Sequence, residues 1–109
     1  MSIQSANILD TDTVILEVPA GRTYAVTTLL ICNYAENEDE ANNSSFDMHI
    51  IRSGNIKSNV NKVLNDIIMP PKETFTFNVE RIVLDEGDSI VLNSTNPNVL
   101  SATISFLEV

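Results

Sequence analysis

Apolar and polar residues alternate in short segments along almost the whole chain, and this pattern most constrains its fold. In residues 74–79, Phe75, Phe77 and Val79 alternate with threonine and asparagine. Because successive side chains of an extended strand point to opposite faces, a period of two is typical of a strand with one buried face. Turn-forming sequences such as Pro-Ala-Gly at 19–21 and Asp-Glu-Gly-Asp at 85–88 separate the segments. The pattern therefore predicts an all-β chain.

The segments predict about seven or eight short strands, with turn signals roughly every 8–12 residues. They are residues 13–18, 22–34, 46–51, 63–69, 74–79, 81–84, 89–93 and 99–109. This number of strands favours a single antiparallel β-sandwich, and the sequence leaves jelly-roll and immunoglobulin-like strand orders open. A length of 109 residues without a linker suits one domain over 1–109. Residues 1–11 precede the first predicted strand and are predicted to form an extended N-terminal arm.

The longest predicted strand, residues 22–34, has apolar side chains on both of its faces. Strict alternation assigns Tyr24, Val26, Thr28, Leu30 and Cys32 to one face. It assigns Ala25, Thr27, Leu29, Ile31 and Asn33 to the other face. A strand that is apolar on both faces is expected at the centre of a sheet, with its second face covered by a partner.

Apolar residues opposite the predicted core rows therefore suggest a protein–protein surface. The residues predicted to be buried in that interface are Leu29, Ile31, Ile51 and Leu107. The alternative is that the predicted strand phases are wrong, in which case the same residues belong to the core.

The charge of the chain excludes several classes of partner. Fifteen acidic residues against six basic ones give a formal net charge of -9. Nucleic-acid binding relies on Lys and Arg to neutralise phosphates, and an anionic membrane surface also repels an acidic chain. The N-terminus lacks the basic start and apolar run of a signal peptide, and one cysteine forms no disulfide framework. We therefore expect assembly in a cytoplasm, without a nucleic-acid or membrane partner.

Residues able to carry out chemistry are few. His49 is the one histidine and Cys32, in an apolar run, the one cysteine. His49 is predicted to be structural or to lie at an interface, because a catalytic or metal-binding histidine needs a nucleophile or further ligands beside it. Cys32 is predicted to be structural and buried, because a reactive thiol needs an electropositive and accessible setting. Phosphate-binding, hydrolase and metalloprotease motifs do not occur, so the sequence predicts no catalytic residue, no metal site and no cofactor. A calcium-binding or carbohydrate-binding module remains the alternative class, because acidic residues cluster at 36–40 and 85–88.

Two segments resemble a family of viral proteins. Val18-Pro19-Ala20-Gly21-Arg22-Thr23-Tyr24 leads into a strand that ends in Cys32-Asn33, and Leu84-Asp85-Glu86-Gly87-Asp88-Ser89-Ile90 follows later. This order is similar to that of small β-sandwich virion proteins of tailed bacteriophages, with a PAG turn, a CN-ended strand and a GD turn. The resemblance covers about residues 13–107. The acidic insert at residues 36–45 and the Asn-rich stretch at residues 55–65 depart from the family's compact pattern.

The resemblance implies a non-enzymatic structural role in a virion assembled in the host cytoplasm. The leading expectation is a capsid decoration or cement subunit, whose partners are capsid or tail proteins and copies of itself. A neck, tail or fibre component is the second expectation. Many symmetric copies would make weak individual contacts effective through avidity.

Overall fold

The computed structural model describes residues 2–109, apart from the side chains of residues 78–81. Eight strands form two four-stranded antiparallel sheets, which confirms the predicted β-sandwich. The strands are β1 (Ser2–Asn7), β2 (Thr13–Glu17), β3 (Tyr24–Asn33), β4 (Ser44–Ile51), β5 (Lys62–Met69), β6 (Thr74–Leu84), β7 (Ser89–Ser94) and β8 (Leu100–Glu108). One short 3-10 turn, Glu40–Asn42, lies in the β3–β4 loop of the described chain.

The strand order shows how the chain is folded. The first sheet has the order β1-β8-β3-β6 and the second sheet the order β2-β7-β4-β5. Strand pairs β1–β8, β2–β7, β3–β6 and β4–β5 are therefore nested, as in one long hairpin rolled into two sheets. This is the jelly-roll arrangement, and it differs from the immunoglobulin order that the sequence left open.

The core lies between the two sheets and takes alternate side chains from each strand. The cluster of buried apolar residues includes Val26, Leu29, Ile31, Phe46, Met48, Ile90, Leu92, Ala102, Ile104 and Phe106. Phe75 and Phe77 of β6 pack against this cluster, as predicted, whereas the side chain of Val79 lies outside the described part. The rings of Phe46 and Phe75 meet edge to face, with their centroids 5.6 Å apart, and so join the two sheets.

Residues 2–7, predicted to belong to an arm, form the edge strand β1 of the first sheet. They pair with β8 in an unbroken antiparallel register from Ser2–Phe106 to Asn7–Ser101. Ile8, which follows the strand, is fully buried and its N–H donates to the carbonyl of Leu100 at 3.0 Å. Backbone pairing and this apolar anchor hold the segment, although its own sequence lacks clear alternation.

An irregularity in β3 changes which of its side chains face the core. The register with both neighbours, β6 and β8, shifts between Val26 and Thr28, which places a β-bulge at Thr27. Val26 before the bulge is buried, and Leu29 and Ile31 after it are also buried, at 1% and 0% exposure. A bulge inserts one residue and so reverses the alternation that follows it.

The bulge overturns three predictions made for β3. Leu29 and Ile31, predicted at an interface, belong to the core of this single chain, where they pair with Ile104 and Ala102 of β8. Cys32, predicted to be buried, lies instead on the outer side of the first sheet and is half-buried. The extra residue in the strand accounts for all three corrections.

Asn33, at the end of β3, is a fully buried polar residue that joins several segments. Its Nδ2 donates to the carbonyls of Asn42 and Met69, each at 2.9 Å, and its Oδ1 accepts from the N–H of Ala35 at 3.1 Å. Its own carbonyl accepts from the N–H of Lys72 at 3.0 Å. One side chain therefore connects the β3–β4 loop to the end of β5.

Candidate functional site

The outer side of the first sheet carries no charged residue among its described positions. Residues paired directly across an antiparallel sheet share a face, so the register defines which side chains point away from the core. We call this set the uncharged face. Its members are Ile3, Ser5 and Asn7 of β1, Ser101, Thr103, Ser105 and Leu107 of β8, Ala25, Thr28, Leu30 and Cys32 of β3, and Thr74, Thr76 and Val83 of β6.

Apolar side chains are exposed at several places on the uncharged face. Val83, Ala25 and Leu107 form a row across three strands, and Val83 and Leu107 are 53% and 36% exposed. Ile3 is 67% exposed on the edge strand, and Leu30 is 38% exposed on the central strand β3. These residues place accessible apolar area at both edges and in the middle of the face.

Hydroxyl groups occupy much of the remaining uncharged face and bond to one another. The hydroxyls of Ser5 and Thr103 are 3.0 Å apart, and those of the bulge residue Thr27 and of Ser105 are 2.5 Å apart. A hydroxyl with an internal partner costs less to remove from water than one without. Another protein can therefore cover the described part of this face without burying a charge.

The outer side of the second sheet differs, because it carries charges and is covered by a loop. Lys62 of β5 lies 3.8 Å from the Asp47 carboxylate of β4. Lys57, in the β4–β5 loop, forms an ion pair with Asp12, which immediately precedes the opposite edge strand β2. The loop of residues 52–61 therefore spans this face.

His49 lies beneath this loop. It pairs with Val91 on the outer side of the second sheet, and yet its exposure is 3%. Its Nδ1 has no hydrogen-bond partner among the described residues. Burial lowers the pKa of His49, and the charges of Lys57 and Lys62 lower it further, against the opposite effects of Asp47 and Asp12. The imidazole is therefore held in its neutral form.

This arrangement predicts a loss of stability in mild acid. Because the pKa of His49 is lower in the folded chain, the unfolded chain binds more protons between that pKa and about pH 6.5. The free energy of unfolding therefore has its full value above about pH 6.5. It decreases as the pH is lowered from there, by up to about 1.4 kcal/mol per pH unit. Urea unfolding of the wild type and of His49→Leu at about pH 7.5 and about pH 5.5 measures the effect.

The His49→Leu variant is the control, because leucine neither titrates nor leaves a polar side-chain atom unpaired. The wild type is expected to lose more stability between the two pH values than His49→Leu does. Equal losses in the two proteins would show that other groups cause the pH dependence.

The structure distributes the four predicted interface residues over three environments. Leu107 lies on the uncharged face, whereas Leu29 and Ile31 lie in the core. Ile51 ends β4 opposite Ser89 and is half-buried in the second sheet, on the far side of the sandwich. The four residues therefore do not form one surface.

Sequence reasoning missed Ile3, Leu30 and Val83, which are exposed on the uncharged face. One signal for them exists in the sequence. Residues 1–9, 23–35 and 99–107 contain no Asp, Glu, Lys or Arg, and the jelly-roll order places the strands that they form side by side. These charge-free segments become neighbours and leave the β1, β8 and β3 part of the face without charge.

The other predicted candidates lie away from this face. The acidic residues 36–40 are exposed in the β3–β4 loop, as predicted. Within residues 2–109, the described side chains contain no cluster of three or more His, Cys, Asp or Glu that could hold a metal ion. The described chain also contains no helix long and apolar enough to cross a membrane.

Fold and surface together define a small jelly-roll domain with one charged, loop-covered sheet face and one bare sheet face that is uncharged at its described positions. No family model, no curated protein and no solved structure matches the chain.

Proposed function

We propose that the chain is a non-enzymatic structural subunit of a tailed-bacteriophage virion, and that it binds the capsid as a decoration or cement protein. The uncharged face is the observation that carries this proposal. In a chain of net charge -9, a sheet face without charge at its described positions is the surface that another protein covers at the lowest electrostatic cost. Its partners are capsid proteins and copies of the chain itself, with no nucleic acid and no membrane.

The size of the uncharged face suits a weak contact that is repeated many times. Four strands about 4.8 Å apart and about eight residues long cover roughly 500 Å². Stable binary complexes bury about 800 Å² on each partner, so one such face supports only modest affinity. A symmetric array of many copies, as on a capsid, converts modest contacts into stable attachment through avidity.

The jelly-roll order is consistent with this function by analogy. Jelly rolls occur in viral capsid and lectin domains, so the fold favours both the virion and the carbohydrate-binding alternative. Sugar recognition commonly uses a platform of exposed aromatic rings. The Tyr24 ring packs on Phe106 with centroids 4.6 Å apart, which leaves Tyr34, at 46% exposure, as the one exposed aromatic side chain among the described residues. We therefore favour protein binding, with the acidic loop of residues 36–40 remaining in solvent.

Copy number in purified particles tests the proposal and separates its two forms. Quantitative mass spectrometry of phage particles from the strain that carries the gene is expected to detect the chain in a fixed ratio to the coat protein. A ratio that matches the tail or neck proteins would support the second candidate, a neck, tail or fibre component. Particles that lack the chain would contradict a virion function.

A pair of matched variants tests the role of the uncharged face. Leu30→Glu introduces a charge at its centre, and Val14→Glu introduces the same charge on the other sheet, where Val14 is 52% exposed. We expect Leu30→Glu to weaken binding to particles stripped of the chain by at least about tenfold, because a carboxylate becomes buried without a partner. Val14→Glu is expected to bind like the wild type.

Cosedimentation of each purified variant with the stripped particles measures this binding. Both variants should first give the wild-type circular dichroism spectrum, so that a loss of binding is not a loss of folding. Equal binding by Leu30→Glu and the wild type would remove the uncharged face from the contact.

A further inference from the structure

The four edge strands of the sandwich differ in how they are protected against pairing with another chain. An exposed strand edge presents unpaired N–H and C=O groups, and proteins usually guard it with charge, proline or a bulge. Strand β1 is uncharged, contains no proline or glycine, and keeps one register with β8 over its full length.

The other three edge strands each have at least one of these protective features. Strand β2 shifts register between Val14 and Leu16. Strand β5 contains Lys62 and Asp66, shifts register twice, and has a positive φ of 50° at Asp66. Strand β6 shifts register opposite Thr27 and contains a glutamate and an arginine within residues 78–81. Among residues 2–109, β1 is thus the edge that offers an open pairing site.

We propose that β1 pairs antiparallel with β1 of a second copy about a twofold axis, joining the two first sheets into one eight-stranded sheet. This inference is separate from the proposed virion function, because it concerns the edge of the sheet and holds for the free protein in solution.

The hydrogen-bond register identifies the groups available for this pairing. The N–H of Ile8 donates to the Leu100 carbonyl, so the pair Ile8–Leu100 is of the hydrogen-bonded kind. Antiparallel pairs alternate between hydrogen-bonded and non-hydrogen-bonded. In β1, the even-numbered residues therefore bond to β8, and Ile3, Ser5 and Asn7 direct their N–H and C=O groups to the open edge.

The alternation between residues bonded to β8 and residues facing the open edge also determines the geometry of the dimer. An axis perpendicular to the sheet brings residues of the same face opposite each other, so Ser5 lies opposite Ser5 of the second copy. Ile3 of each copy then lies opposite Asn7 of the other. All three open residues of each copy are paired, giving about six hydrogen bonds between the copies.

The charge distribution favours a second copy of this chain as the partner that pairs with β1. Two molecules of net charge -9 repel each other wherever their acidic surfaces meet, but residues 2–7 contain no charged group. A twofold contact requires a patch that is complementary to itself, and an uncharged backbone edge satisfies this condition. Because salt screens the remaining repulsion, the dimer should become more stable as ionic strength rises.

Sedimentation equilibrium over a concentration series tests the proposal with a variant and its matched control. Ser5→Pro removes the open-edge N–H at the twofold axis while leaving the bonds to β8, and proline is tolerated where a strand N–H faces solvent. Ser5→Ala removes the same hydroxyl but keeps the N–H. We expect wild type and Ser5→Ala to dimerise, more so in high salt, and Ser5→Pro to dimerise at least about tenfold more weakly.

Cysteine crosslinking tests the register without relying on the fold of the proline variant. In a Cys32→Ser background, Ser5→Cys places two thiols opposite each other, at a Cα separation of about 5.5 Å that suits a disulfide. Asn7→Cys places its two thiols about four residues, or roughly 14 Å, apart along the strands. Mild oxidation should therefore join two Ser5→Cys chains by a disulfide and leave the Asn7→Cys chains without a covalent crosslink.

Three results would overturn the dimer: a wild type that stays monomeric at all concentrations and salt levels, a Ser5→Pro protein that is folded and still dimeric, or equal crosslinking at positions 5 and 7. None of them would affect the virion proposal, which is decided by the copy number in particles.

Discussion

Replacing Asn33 by leucine is expected to lower the free energy of unfolding by about 3–5 kcal/mol, because it removes three hydrogen bonds made by a fully buried side chain. The carbonyls of Asn42 and Met69 and the N–H of Ala35 all bond to the Asn33 side chain. Leucine has a similar branched shape but is larger, and it neither donates nor accepts. The buried Met69 carbonyl and the two part-buried groups therefore each lose a hydrogen bond. Urea unfolding followed by circular dichroism measures the change.

Asn65→Leu is the matched control, since the same substitution there affects an exposed residue of β5. Asn65 accepts a hydrogen bond from Lys62 at 3.1 Å on the surface, and its replacement should change stability by less than about 0.5 kcal/mol. If the two variants were equally stable, Asn33 would not be the residue that joins the β3–β4 loop to β5.

Replacing Ile31 by alanine is expected to destabilise the fold by about 3 kcal/mol. Ile31 is 0% exposed and belongs to the cluster between the sheets, so the substitution removes buried apolar area and leaves a cavity. Leu107→Ala, on the uncharged face, is expected to cost less than about 1 kcal/mol because Leu107 is 36% exposed. Chemical denaturation of the two variants compares them directly.

This pair separates the two interpretations of β3 that the sequence allowed. If Ile31 contacted a partner, its truncation would leave the isolated chain nearly as stable as the wild type. A large loss for Ile31→Ala together with a small loss for Leu107→Ala is the result that the β-bulge at Thr27 requires.

Most strands could be predicted from the sequence, because their signals are local. The alternation in Phe75 and Phe77 and the turn at Asp85-Glu86-Gly87-Asp88 depend only on neighbouring residues, and both agree with β6 and with the turn before β7. The strand predicted at residues 63–69 begins one residue earlier, at Lys62. Strand β1 was missed because its pairing with β8 comes from residues about a hundred positions away in the chain.

The candidate surface was harder to predict than the strands. One bulged residue, Thr27, reverses the orientation of every side chain after it, and nothing in residues 22–34 indicates where the extra residue lies. Leu29 and Ile31 were therefore predicted at an interface, while Leu30, on the opposite side of the same strand, is the residue exposed there. Leu107 kept its predicted orientation because β8 is regular over its buried positions.

The sequence by itself determined the all-β class, the positions of most turns and the separation of acidic loops from uncharged strand segments. These properties follow from residue type and from the period of two, which act over a few residues. Only the tertiary structure decided which strands are neighbours, where the alternation is interrupted and which side of β3 is covered. The net charge of -9 became informative at that level, since the jelly roll gathers the charge-free segments of β1, β3 and β8 into one face and one open edge. Strand pairing depends on packing between residues far apart in the chain, and a local sequence pattern therefore does not predict it.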